Sequence, residues 1–242
     1  MARPRVLLVH GSVVNGEITW SAQRPLAERF ELVVPNRRGF PPGPDVERVD
    51  YADEATWLGQ FVEPGTHLVG HSYGGVVSLF AAVDYADRIR SLTVIEPPAF
   101  GLAAGNPAAD TFAAHATRLW EEGPRDPEAF LRSFLAAVGS TIPAGELSPA
   151  MLQGARTLQV ERYPWKARPP LDELAAAPFP KLVVSGAHSD AFDAVCDVLE
   201  ERLPARREVL PGAGHGIPRA PGYRELLASF LDDSSWTERL VQ

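Results

Sequence analysis

Five short apolar runs, mostly separated by segments of helical period, constrain the fold of this chain more than any other feature. They are Arg5-Val-Leu-Leu-Val-His10, Glu31-Leu-Val-Val-Pro35, His67-Leu-Val-Gly70, Leu92-Thr-Val-Ile95 and Lys181-Leu-Val-Val-Ser185, with Arg207-Glu-Val-Leu-Pro211 a weaker sixth. A short, nearly continuous apolar run fits a strand buried on both faces. Residues 21–30, 51–61, 74–85 and 191–203 carry the spacing of helices. Parallel strands need crossovers, and helices are the usual crossover. The alternation therefore predicts an α/β fold, a mostly parallel sheet of about six strands covered by helices.

One stretch breaks this rhythm. From residue 99 to residue 178 no convincing strand occurs, a span too long for an ordinary connection. Amphipathic pieces lie at 107–122, 126–138 and 148–162, separated by Gly123-Pro124 and Ile142-Pro-Ala-Gly145. The expected organisation is a core of residues 1–98 and 179–242 with a helical cap, residues 99–178, inserted before the next-to-last strand. The insertion carries Phe112, Trp120, Phe130, Phe134, Met151 and Trp165, enough bulk to pack on a sheet edge and line a pocket. Most of them are expected in the cap's own core.

Composition removes several classes. The 242 residues hold 31 Asp and Glu against 23 Lys and Arg, a formal charge of −8, which argues against nucleic acid as a partner. The single cysteine, Cys196, allows no intramolecular disulfide and no cysteine-rich zinc site, so a reduced, cytoplasmic setting is expected. The apolar run after Arg5 is too short for a signal-peptide core or a membrane span, and no later run reaches membrane length. No membrane association is therefore expected.

The chemistry is concentrated at Gly70-His71-Ser72-Tyr73-Gly74, followed by Gly75, placed after a predicted strand and opening a predicted helix. A serine at such a turn has its hydroxyl pushed out of the sheet edge, and glycine is needed on both sides to avoid collision with neighbouring backbone. The helix that follows aims free N–H groups and its positive end at a developing oxyanion. A serine hydroxyl also needs a base. Of the six histidines, His215 alone combines a glycine-rich loop, Pro211-Gly-Ala-Gly-His215-Gly-Ile-Pro218, with a place between the last strand and the last helix. A second oxyanion donor is offered by His10-Gly11-Ser12, through the backbone N–H of Ser12, with Val13 as the neighbouring alternative and Tyr73 as the first donor.

These pieces resemble the α/β-hydrolase family over essentially the whole chain: the His-Gly turn after an early strand, the G-x-S-x-G elbow, the helical cap and the late Gly-His loop. The resemblance implies that Ser72 is the nucleophile, His215 the general base, and Ser12 and Tyr73 the oxyanion donors. Residues 1–4 leave no room for the two leading strands of many members, so six strands are expected. The third member of the triad has two candidates. Most members place an aspartate three residues after the glycine that ends the next-to-last strand; counting from Gly186 gives Ser189, and Asp190 stands one residue late. Other branches, haloalkane dehalogenases and zearalenone lactonases among them, use a carboxylate at the end of the sixth family strand, where Glu96 stands 24 residues after Ser72. Glu96 is the preferred choice, and Asp190 with Ser189 is equally readable as a helix cap.

With serine as nucleophile, acyl transfer to water is the leading reaction. The expected substrate is a small to medium apolar ester, thioester or lactone, with Val13, Trp120, Phe134 and Trp165 as pocket residues and Tyr73 and Phe40 as further candidates. The reaction needs no cofactor and no metal. A perhydrolase or lyase on the same scaffold, or a receptor-like binder with little turnover, are the alternatives. The expected oligomeric state is a monomer or homodimer. Arg37 and Arg38, before Gly39, are expected to be solvated charges of a surface turn.

Overall fold

A computed structural model describes residues 3–140 and 144–233. Its elements run β1 (Arg5–Val9), α1 (Gly16–Thr19), β2 (Glu31–Val33), α2 (Tyr51–Leu58), β3 (Thr66–His71), α3 (Tyr73–Asp84) and β4 (Ile89–Ile95). Four helices follow, α4 (Pro107–Glu122), α5 (Pro127–Ala137), α6 (Pro149–Gln159) and α7 (Leu171–Ala176). The chain then returns through β5 (Lys181–Ser185), α8 (Asp190–Arg202), β6 (Ala205–Val209) and α9 (Tyr223–Asp232). All six strands join one parallel sheet in the order β2-β1-β3-β4-β5-β6.

The apolar runs become strands because both faces of the sheet are covered. Successive side chains alternate between faces, so Leu7, Val9 and Leu68 pack in one buried cluster with α2, α3 and α8, while Val6, Leu8 and Val69 pack in another with α9. Register then sets the site. Gly70 of β3 pairs Val94 of β4, and Ile95 pairs Val184 of β5. The residues just beyond β1, β3, β4 and β5 are thereby brought to one carboxyl edge, where the order reverses between β1 and β3 and α/β sheets build their sites.

Three helices of the insertion begin the same way. Asn106, Asp126 and Ser148 each accept hydrogen bonds at the helix start from N–H groups one or two residues inside it, and Pro107, Pro127 and Pro149 fill the first helical position. The proline presets φ and lacks only an N–H that would have no intrahelical partner, and each cap is worth about 1 kcal/mol.

Three expectations need correction. Within residues 21–30 the chain forms a 3-10 helix, Ser21–Glu28, because Pro25 inside it lacks an N–H and its ring clashes with the carbonyl four residues back in an α-helix. The sixth strand begins at Ala205, two residues before the apolar run, because Ala205 to Val209 is the segment in register with β5. The insertion also contains α7 and a 3-10 turn, Pro164–Lys166, which periodicity did not indicate because both are too short to show a period. The first two residues of the expected break at Ile142-Pro-Ala-Gly145 lie outside the described residues. Among the described residues, no helix is long and apolar enough to cross a membrane.

Candidate active site

Ser72 sits at the turn from β3 into α3 with φ 54° and ψ −125°, its backbone N–H bonded to the carbonyl of Ile95 at 2.8 Å. Gly74 is required there because a Cβ would stand 2.3 Å from the carbonyl oxygen of His10, so elbow and β1 loop approach backbone to backbone. Gly11 makes a second close approach: its Cβ would lie 2.9 Å from Cβ of Ser72. Among the described residues, the non-glycine positions with positive φ are Val13, Ser72, Glu96 and Ala187, all in loops that follow β1, β3, β4 and β5 at the same edge. Such backbone is strained and persists where the surroundings over-determine it, as at functional sites.

His215 comes from the loop between β6 and α9 and brings Nε2 to 3.0 Å from Ser72 Oγ and Nδ1 to 2.6 Å from Glu96 Oε2. Glu96 is fully buried. Burial pushes its carboxyl up, but His188, His215 and the N–H of Gly186, 2.7 Å from Oε1, outweigh that and hold it down at about 2. A carboxylate only accepts, so Nδ1 of His215 carries the proton and Nε2 presents its lone pair to the Ser72 hydroxyl. His71 fixes the loop: burial lowers its imidazole to about 3, and neutral Nε2–H donates to the His215 carbonyl at 2.8 Å. His188, which sequence reading passed over, places Nδ1 3.2 Å from Glu96 Oε1, and its pKa is raised chiefly by that carboxylate.

Asp190 takes no part in this chain. It is exposed in the first turn of α8, next to the Ser189 cap, where its charge favours the helix dipole. Glu96, His188 and His215 present ligand atoms all within 4.8 Å of one another. A cation could enter only at the expense of the Glu96–His215 hydrogen bond.

Ser72 and His215 open on a cavity of about 500 Å³ including its mouth. The predicted Trp120, Phe134 and Trp165 line it, with Phe100, Phe112 and Phe192 added. Ser12 and Tyr73 line it as well, and the Tyr73 N–H, first of α3, has no partner within the helix. Val13 does not: its side chain packs in an apolar cluster with Phe130, Leu131 and Leu135, behind the cavity-lining Trp120 and Phe134. Phe40 is also outside, edge-on to His10 at 4.7 Å between ring centroids.

The expectation for Arg37 is overturned, although Arg38 is exposed. Arg37 is buried with its guanidinium bonded to Glu54 Oε2 at 2.9 Å, Glu161 Oε1 at 2.9 Å and the Gly11 carbonyl at 3.0 Å, above the Tyr73 ring. Its backbone N–H donates to Nε2 of His10, whose Nδ1–H donates to the Gly11 carbonyl. Glu161 lines the cavity, and its Oε2 accepts the Ser12 hydroxyl at 2.5 Å. Neither carboxylate was identified from sequence, since nothing local links residues 54, 161 and 37. Breaking a buried charge cluster leaves uncompensated charge, so Arg37→Met is expected to lower stability by about 3–5 kcal/mol in urea unfolding; an unchanged midpoint would contradict the cluster's role.

The fold and this edge of polar groups correspond to a known class. The pattern of a family described as "Alpha/beta hydrolase family" matches residues 6–224, and the chain belongs to that family. It is similar to 2-(acetamidomethylene)succinate hydrolase of Mesorhizobium japonicum, 33% identical over 38% of this chain and 35% of that enzyme. Pimeloyl-[acyl-carrier protein] methyl ester esterase of Aeromonas hydrophila is 31% identical over 40% of this chain and 39% of that enzyme. The matches thus span little more than a third of these curated relatives. Among solved structures, MenH from S. aureus superposes with a TM-score of 0.72 at 15% identity, over 97% of this chain and 96% of that chain. An esterase from Exiguobacterium antarcticum gives 0.73 at 18% identity, over 95% and 92%. These two likenesses concern the fold.

Proposed function

We propose that the protein is a serine hydrolase of the carboxylesterase or lactonase type, with Ser72, His215 and Glu96 as its triad. The observation that carries this reading is the hydrogen-bonded chain from Glu96 through His215 to Ser72 Oγ at the wall of an apolar cavity. Ser72 Oγ attacks the substrate carbonyl carbon as its proton passes to His215 Nε2. The negative oxygen so formed takes hydrogen bonds from the backbone N–H groups of Ser12 and Tyr73. Collapse expels the alcohol or thiol, which receives the proton from His215, and leaves an acyl group on Ser72. Water, deprotonated by the same Nε2, releases the acid and restores the serine. Glu96 keeps the imidazole in the required tautomer and stabilises its charged form.

The helical insertion acts as a cap whose aromatic residues form the acyl pocket. Among the described residues no lysine or arginine lines the cavity, and Glu161 places a carboxyl in its wall. A buried carboxylate on the substrate would lack a partner, so the acyl group is neutral and apolar, in an ester, thioester or lactone. This differs from the succinate in the name of one relative. p-Nitrophenyl butyrate is expected to exceed p-nitrophenyl hemisuccinate by at least about tenfold in kcat/KM, with butyrate released in equal amount to nitrophenol. Equal rates would refute the assignment of substrate class, and no turnover of any ester would refute the hydrolase reading.

A further inference from the structure

The loop that presents the Ser12 N–H is held only in part by its own sequence, through the Val14 N–H to the Ser12 carbonyl at 3.0 Å and His10 Nδ1–H to the Gly11 carbonyl. Val13 is a β-branched residue at φ 78°, a conformation that costs energy and must be imposed from outside. Arg37 holds the Gly11 carbonyl from the core, but the Ser12 side chain is held from the insertion, through Oε2 of Glu161. Glu161 follows α6, and the chain there is pinned to the core by hydrogen bonds from Val49 N–H to the Val160 carbonyl and from Arg162 N–H to the Val49 carbonyl. The middle of α6 closes on the loop as well: Gly154 packs so tightly that a Cβ would stand 2.0 Å from the Val13 carbonyl oxygen.

We propose that Glu161 is a positioning residue that holds the oxyanion loop through the Ser12 hydroxyl, so that the oxyanion site is complete only when the insertion is seated on the core. This rests on the assignment of Ser72 as nucleophile and Ser12 as oxyanion donor. The groups facing Glu161 are Arg37, Ser12 and Glu54, with Tyr73 beneath Arg37, while the neighbouring Arg162 turns away to Asp50. The ionised carboxylate accepts from both Ser12 and Arg37. Burial raises the Glu161 carboxyl to about 7; when protonated it still accepts from Arg37 through its carbonyl oxygen and donates its proton to the Ser12 oxygen, so the contact survives in either state.

The test is steady-state hydrolysis of p-nitrophenyl acetate by Ser12→Ala, Glu161→Ala, the double variant and Glu161→Gln. A loop-positioning role predicts that each alanine variant loses at least about tenfold in kcat with KM changed less than about threefold. The double variant should be no worse than the poorer single one, because both remove one contact. Glu161→Gln, which can keep a bond to each partner, should recover most of kcat at pH 8–9. Wild-type kcat in both alanine variants, multiplicative losses in the double variant, or a loss in Glu161→Gln as large as that in Glu161→Ala would each overturn the proposal. If Glu161→Ala does not fold, Ser12→Ala and Glu161→Gln still decide it. Labelling of wild-type Ser72 by a fluorophosphonate is scored separately, so failure of the nucleophile assignment is distinguishable from failure of this one.

Discussion

Ser72→Ala is expected to abolish turnover of p-nitrophenyl acetate, by about 10⁴-fold or more in kcat, and to eliminate covalent labelling by a fluorophosphonate. The substitution removes the attacking oxygen and leaves the pocket and the proposed backbone donors in place. Folding should be spared, because the Ser72 hydroxyl contributes to the hydrogen-bond network through His215 alone among the described residues. Position 72 already sits at φ 54° with a Cβ, so alanine adds no steric cost. A variant with native circular dichroism and no label fulfils the prediction. Retained labelling, or ester hydrolysis within tenfold of wild type, would remove Ser72 from the mechanism.

The second large effect separates two carboxylates. Glu96→Gln is expected to lower kcat by about 10³–10⁴-fold, while Asp190→Asn stays within about twofold of wild type. With glutamine, the group facing His215 Nδ1 can be the amide N–H₂, which cannot accept the imidazole proton. The proton then moves to Nε2, and the lone pair that should receive the Ser72 proton is lost. Asp190 touches none of this, since it is exposed at the start of α8. Stability gives an independent check. The Glu96 carboxyl is held below its ordinary value in the folded chain, so it contributes stability present above about pH 4.5 and lost as pH falls towards 2. Glu96→Gln should flatten that part of the stability profile, measured by urea midpoints across pH 3–7. Loss of activity in Asp190→Asn with retention in Glu96→Gln would reverse the assignment.

Placing the carboxylate on β4 has a geometric reason. β4 lies directly beside β3, and the pairing of His71 with Ile95 puts the next residue of each strand, Ser72 and Glu96, at adjacent strand ends. The carboxylate therefore sits beside the strand that leads into Ser72, and His215 reaches both from the loop after β6. At the alternative position the chain instead turns into α8, and the one-residue offset of Asp190 directs its side chain to solvent. Gly186 keeps a part in the site through its N–H, which holds Glu96.

Features encoded by neighbours in the chain were legible without coordinates. The strands of a doubly covered sheet show as apolar runs, the elbow as glycines around a serine between strand and helix, and the helix starts of the insertion as a capping residue followed by proline. Each is decided by local sterics or by alternation of side chains, so a few consecutive residues carry the information. The same locality explains the errors at 21–30, where one proline outweighs periodicity, and at Val13, whose apolar side chain packs with Phe130, Leu131 and Leu135 of the insertion instead of lining the cavity.

What tertiary structure alone decided is the set of partners that meet across the carboxyl edge. Arg37 and Glu161 are 124 residues apart, Ser12 and Glu161 are 149 apart, and Glu96 and His215 are 119 apart. An arginine in an Arg-Gly turn is solvated or buried according to whether two carboxylates arrive from elsewhere to compensate it. No periodicity or spacing records that arrival, because it depends on strand order and on where the insertion lands. Sequence determined the sheet, the elbow and the residue types available for chemistry; packing determined which charges are buried together, and with that the acid beside His215 and the carboxylate that holds Ser12.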